Sequence, residues 1–154
     1  MLQIERKAVA EHLAQDNPWW RQTSWHDPAA DWPRRDYFQP LLALARQPVQ
    51  RAIVLLGARR VGKTTLLRQL ITDASASGEF GPVLFASVDT PTFTNLGLED
   101  LLALFEEGCP HDPGAPRLVI FDEIQYLADW ERHLKPLVDR YPRTGFIVSG
   151  SAGA

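Results

Sequence analysis

A chain of 154 residues, 45% hydrophobic and 23% charged, is long enough to bury one core and has the composition of a soluble globular domain, so one domain is expected. A formal net charge of −3 gives no electrostatic reason for general nucleic-acid binding, and the lone Cys109 excludes an internal disulfide. No apolar run approaches membrane-spanning length and the N-terminus carries Glu5, Arg6 and Lys7 in place of a secretory core, which makes a cytoplasmic location the default expectation.

Residues 2–15 place Leu2, Ile4, Val9 and Leu13 among good helix formers, which predicts an amphipathic helix ending before Pro18. The next stretch holds Trp19, Trp20, Trp25 and Trp32 among prolines without a clear period, and reads as an ordered, irregular arm whose indoles bury surface against a neighbour. Residues 37–46 form a second helix candidate. Residues 1–47 are therefore read as an N-terminal helical and Trp/Pro-rich arm packed on a core formed by residues 48–154. Arg34-Arg35 and Arg59-Arg60 could make small local basic patches, with a solvated surface as the reading for the first pair, while Ala58, Arg59, Arg60 and Val61 are assigned to the nucleotide-binding loop; Cys109 with His111 supplies too few ligands for zinc.

Residues 51–56 are a short apolar run of strand length, and from Thr65 the leucines recur at helical spacing. Between them lies Gly57-Ala58-Arg59-Arg60-Val61-Gly62-Lys63-Thr64, two glycines, a lysine and a threonine in a strand–loop–helix setting. In that setting backbone N–H groups converge on phosphate oxygens, and the helix N-terminus adds its unpaired donors and positive dipole end. Gly57 and Gly62 permit close backbone approach, Lys63 reaches the β- and γ-phosphates, and the Thr64 hydroxyl ligates the Mg²⁺ that accompanies ATP.

Residues 82–89 predict a second strand, and Leu98, Leu101, Leu102 and Phe105 a helix stopped by Gly108. After a proline-rich loop, Leu118-Val119-Ile120-Phe121 has no alternation, as in a strand buried on both faces, and it ends in Asp122-Glu123. That places both carboxylates at the sheet edge where open α/β folds bind ligands, Asp122 for the Mg²⁺ shell and Glu123 to take a proton from, or orient, an attacking water. Asp129 is a candidate cap for a helix starting at Trp130, which should break or kink near Pro136. A fourth strand, residues 145–149, runs into Gly150-Ser151, where hydroxyls including that of Ser149 have two readings, a hydrogen bond to the γ-phosphate or water and a plain turn. Strands alternating with helices predict a three-layer α/β/α fold with a mostly parallel sheet.

The segments GARRVGKTT (57–65), FDEIQY (121–126), WERHLKPL (130–137) and SGSA (149–152), with the lead-in Asn17-Pro18-Trp19-Trp20, resemble the prokaryotic AAA-type P-loop ATP-binding proteins. The resemblance implies ATP as nucleotide and Mg²⁺ as cofactor. It also places the strand ending at Ser149 between the phosphate-loop strand and the Asp122 strand. It puts Gly57, Gly62, Lys63, Thr64 and Thr65 on Walker A positions, Asp122 and Glu123 on Walker B, and Ser149 and Ser151 in a sensor-like region. In such relatives a fifth strand, a lid and a further domain follow, so a truncated core with an exposed phosphate-loop strand is expected, together with self-association or a protein partner. The leading functional expectation is an ATPase (a hydrolase). The alternatives are an ATP-dependent binding switch with negligible turnover alone and a small P-loop kinase.

Overall fold

A computed structural model describes residues 3–47, 52–57 and 62–151. Leu2, Arg51, Ala58, Arg59, Arg60, Val61 and Ala152, to which the sequence assigned positions in elements or motifs, lie outside the described residues. The elements run α1 (Gln3–Asp16), α2 (Phe38–Arg46), β1 (Ala52–Gly57), α3 (Lys63–Ser77), β2 (Val83–Ser87), α4 (Leu98–Gly108), β3 (Arg117–Asp122), α5 (Trp130–Arg140) and β4 (Thr144–Ser151), with single 3₁₀ turns between several of them.

The four strands form one parallel sheet in the order β1-β4-β3-β2. β3 and β4, the two inner strands, are apolar without alternation because both of their faces are covered. Successive side chains still separate by the two-residue pleat. Leu118 and Ile120 enter the layer built with α2 and α3, while Val119 and Phe121 enter the layer built with α1, α4 and α5. The result is the three-layer α/β fold that the alternation of strands and helices predicts.

The tryptophan-rich arm closes one edge of this sheet. Asn17, fully buried, accepts from the Phe85 N–H at 2.7 Å through its side-chain oxygen and donates to the Phe85 carbonyl at 2.9 Å, as a neighbouring strand would. Two residues back along the β2 edge, the indole N–H groups of Trp19 and Trp20 both donate to the Val83 carbonyl, at 2.8 and 2.7 Å. The two rings then diverge, Trp20 stacking on Phe105 in the α4 layer and Trp19 meeting Trp25 against the α3 layer. Gly108 belongs to this contact, since a Cβ there would lie 2.8 Å from the Trp20 ring. The glycine ends α4 as expected, and this close approach is the physical reason for its absent side chain.

The arm continues over α3. Buried Gln69 donates to the carbonyls of Ala29 and Trp32, and Arg34 pairs with Asp73 through two hydrogen bonds while lying 4.2 Å over the Phe38 ring. Arg34 is therefore tied down, where a free surface cation was expected. The opposite edge, β1, is open among the described residues, and Val54 and Leu56 are 47% and 51% exposed on it.

Two local expectations fail. Asp129 sits at φ 55°, in the left-handed region, and makes no capping bond, because a side chain reaches the first-turn N–H groups only from extended backbone. Pro136 does not divide α5: the helix runs through it, and the ring is exposed while Leu134 and Leu137 are buried. No helix among the described residues is long and apolar enough to cross a membrane.

Asn17→Ala removes both partners from the Phe85 edge and is expected to lower stability by about 1–3 kcal/mol, the usual cost of leaving buried polar groups unpaired. Urea denaturation checks it. A change within experimental error would show that water replaces the amide.

Candidate functional site

Three strand ends meet at one edge. β1 ends at Gly57 in register with Ser151 of β4, and β3 reaches Asp122 on the other side of β4. After residues 58–61 the chain resumes at Gly62, at φ 85°, a left-handed conformation natural to glycine, and α3 begins at Lys63. A Cβ at 62 would also come within 3.3 Å of the Arg35 guanidinium. The residue preceding the helix offers no side chain to its first-turn N–H groups, which leaves them as donors for an anion.

The Lys63 ammonium donates to the carbonyls of Gly57, at 3.4 Å, and of Gly150. It thus lies across the ends of β1 and β4. On the β3 side, Asp122 is only 7% exposed, and its Oδ1 accepts from the Ser149 hydroxyl at 2.6 Å and from the Glu123 N–H at 2.9 Å. Two donors on one oxygen fix the carboxylate and leave Oδ2 for a further ligand. Glu123 itself has φ 53°, an uncommon conformation for a residue with a side chain, and this turns the chain sharply off the strand. Gln125 then donates to Glu123 Oε2 at 2.7 Å.

Lys63, Glu123, Thr64, Thr65, Gly62 and Ser151 all line one open cleft of about 520 Å³, with Arg35, Asp89 and Tyr126 completing its walls. Asp122 is not one of its lining residues and adjoins it through Glu123, whose N–H its carboxylate accepts. Another cleft, of about 440 Å³, lies beneath the opposite ends of β1, β3 and β4, and its Arg46 and Glu79 are paired with each other. Only the first brings a lysine, first-turn N–H donors and carboxylates together.

Most candidate residues therefore converge: Gly57, Gly62, Lys63, Thr64, Thr65, Asp122 and Glu123 share the strand-end region, while Ala58, Arg59, Arg60 and Val61 fall outside the described residues. Ser149 occupies a different place from the one its expected contact with phosphate or water would need. Its side chain is fully buried and directed at Asp122, and Ser151 is the strand-end serine that lines the cleft. Sequence reasoning assigned no site role to Arg35, Asp89, Tyr126 or Gln125, and Arg35 lines the cleft where a solvated surface residue was expected. Arg35 arrives from the arm across some 25 residues of chain, a long-range approach with no local signal, whereas Gln125 stands two residues after Glu123 in a motif where its proximity was readable.

A magnesium ion fits the oxygen donors present, Asp122 Oδ2 and the exposed Thr64 hydroxyl in the first turn of α3. Among the described residues no group of three His, Cys, Asp or Glu side chains could hold a metal alone, so phosphate and water would have to supply the rest, as is usual for Mg²⁺. Both ring nitrogens of His111 are engaged, one with the Cys109 carbonyl and one with Arg117.

Residues 49–154 match a family model described as an AAA domain. Over 88 residues, 56% of this chain, the sequence is 35% identical to the uncharacterised protein MJ1637 of Methanocaldococcus jannaschii, of which the match covers 19%. Two solved structures share the fold. One is described as a DNA replication initiation factor (TM-score 0.51, 17% identity, 80% of this chain and 40% of that one). The other is PCH-2 of C. elegans (TM-score 0.52, 16% identity, 91% of this chain and 41% of that one). The chain thus spans about a fifth of the curated relative and two fifths of each solved neighbour, and at these identities the neighbours speak to the fold alone.

Ser149→Ala is expected to cost about 1.5–3 kcal/mol, the range for a hydrogen bond to a charged group, and to cost little in an Asp122→Ala background. A double-mutant cycle by urea denaturation reads this coupling. Additive effects would show that the Ser149–Asp122 bond contributes nothing to stability.

Proposed function

The chain belongs to the AAA domain family of P-loop ATPases, and from that premise we propose that it binds Mg·ATP in the Lys63–Glu123 cleft and hydrolyses it. The observation that carries this reading is the position of the Lys63 ammonium and the Asp122-Glu123 pair on either side of the end of β4, with one cleft between them.

Each residue has a task that follows from its placement. Lys63 is held by two carbonyls, a weak substitute for anionic oxygens, and exchanges them for the β- and γ-phosphates. The first-turn N–H groups of α3, with residues 57–62 ahead of them, cradle the same phosphates. Thr64 and Asp122 would hold the magnesium, and Ser149 acts through Asp122 by fixing its carboxylate. When bound, the metal neutralises charge that develops on the phosphate oxygens. Glu123, at the cleft wall, accepts a proton from the attacking water or aligns it for in-line displacement. Ser151 and Arg35 lie where they can donate to phosphate oxygens.

Self-association or a protein partner belongs to the same proposal, because among the described residues β1 has an unpaired outer edge and exposes Val54 and Leu56 on one face beside it.

Lys63→Ala is expected to weaken ATP binding at least about tenfold, since it removes a charge-assisted contact. Glu123→Gln is expected to retain binding and lose metal-dependent phosphate release by about 10²-fold or more. Calorimetric titration and a phosphate-release assay check the two. Unchanged affinity in the first variant would remove Lys63 from the site, and unchanged turnover in the second would remove Glu123 from the chemistry. A wild type that binds ATP without turnover would instead support the binding-switch alternative.

A further inference from the structure

The turn after β3 contains a polar side chain to which the reading above gives no task. Ile124–Tyr126 form a single 3₁₀ turn in which Ile124 is buried in the α4 and α5 layer, and Gln125 points back to the strand ends. Its Nε2 donates to Glu123 Oε2 at 2.7 Å, and its Oε1 accepts from the Ser151 N–H at 3.3 Å. The backbone of β4 approaches so closely that a Cβ on Gly150 would lie 2.4 Å from Gln125 Oε1. The other side of the same peptide holds the lysine, as the Gly150 carbonyl accepts from the Lys63 ammonium.

We propose that Gln125 is a positioning residue for Glu123, its amide tying the Glu123 carboxylate to the end of β4 beside the carbonyl that holds Lys63. The assignment rests on the hydrolytic reading of the cleft. An amide suits the position because it carries a donor and an acceptor on one rigid plane, and only one of its two orientations satisfies both the carboxylate and the N–H. A glutamate would set two anions against each other, and an aliphatic side chain would serve neither partner. Because Gln125 engages Oε2 alone, Oε1 stays available to a water in the cleft. The two-point attachment also limits the rotamers of a side chain that stands on unusual backbone, at φ 53°, and would otherwise sweep a wide arc. Glu123 and Lys63 thereby become opposite ends of one run of contacts through Gln125, Ser151 and Gly150.

Two substitutions disturb this tie from opposite sides. Gln125→Glu keeps the size and the acceptor for Ser151 but replaces the donor to Glu123 with a like charge. Gly150→Ala leaves Gln125 in place chemically and displaces its amide, which, as the end of a flexible side chain, can move without unfolding the strand. Both are expected to lower kcat by about tenfold or more while KM and the affinity for ATP stay within about threefold, the pattern of an interaction that matters at the transition state. In a Glu123→Gln background neither should lower the residual rate further, a non-additivity that a merely structural role would not produce. If Glu123→Gln abolishes turnover while Gln125→Glu and Gly150→Ala keep the wild-type kcat, or if their losses add to that of Glu123→Gln, the positioning role is overturned and the hydrolytic reading stands. If Glu123→Gln turns over as the wild type does, or the wild type shows no turnover, the hydrolytic reading is overturned and the role of Gln125 falls with it.

Discussion

The insertion of β4 between β1 and β3, all three parallel, is the constraint from which the cleft follows. Parallel strands end at the same edge, and neighbouring strands lie about 4.8 Å apart, so the residues leaving β1 and β3 are separated by roughly 10 Å with the end of β4 between them. Among the described residues no hydrogen bond or ion pair joins Lys63 to Asp122 or Glu123 across that gap. The strand in the middle mediates instead, through the Gly150 carbonyl on the lysine side and the Ser149 hydroxyl on the aspartate side. Consecutive residues of one strand thus serve the two halves of the site, one through its side chain and the next through its carbonyl. A shift of β4 by one residue would exchange the faces of every one of its side chains, which ties the site to the register of the buried core.

The two edges of the sheet are treated in different ways. Along β2 the exposed ladder groups of Val83 and Phe85 are taken by Asn17, Trp19 and Trp20, and the same segment contributes an indole to each helical layer. Side-chain amide and indole N–H groups here do the work of a fifth strand without its length, which protects an edge that would otherwise pair with another chain. β1 has no such cover among the described residues, and its outward side chains Val54 and Leu56 are apolar. Charged or kinked residues are the usual defence of an open edge, and β1 carries neither between Ala52 and Gly57.

What could be read in advance was what depends on local pattern. The unbroken apolar run 118–121 announced a strand covered on both faces, and the fixed spacing of Gly57, Gly62, Lys63 and Thr64 announced a strand–loop–helix turn, because backbone geometry restricts residue type at those positions. Long-range pairing left no such trace. Asn17 read as the residue before a proline and as part of a family lead-in, with nothing to point to its partner Phe85, 68 positions away. Ser149 and Ser151 looked equivalent at a strand end, and the two-residue pleat alone should put them on one face; the depth of Asp122 beneath Ser149 is what separates buried from cleft-lining. Asp129 and Pro136 misled for a related reason: capping and helix breaking depend on the backbone and solvent exposure the residue actually has, and the residue type supplies only an average over both.

The arm joins these observations. It begins at the far edge on β2, is fastened to α3 where Gln69 holds the carbonyls of Ala29 and Trp32, and delivers Arg35 to the mouth of the cleft beside Gly62. Arg35 therefore owes its position to anchors on β2 and on α3, both outside the cleft. The bidentate Arg34–Asp73 pair, the last anchor before it, fastens the residue next to Arg35 to α3. Glycine at 62 then satisfies two conditions at once: a left-handed backbone at the start of α3, and space for a guanidinium that a Cβ would meet at 3.3 Å. The segment that seals the sheet at β2 thus continues, over its anchors on α3, into the residue that lines the cleft.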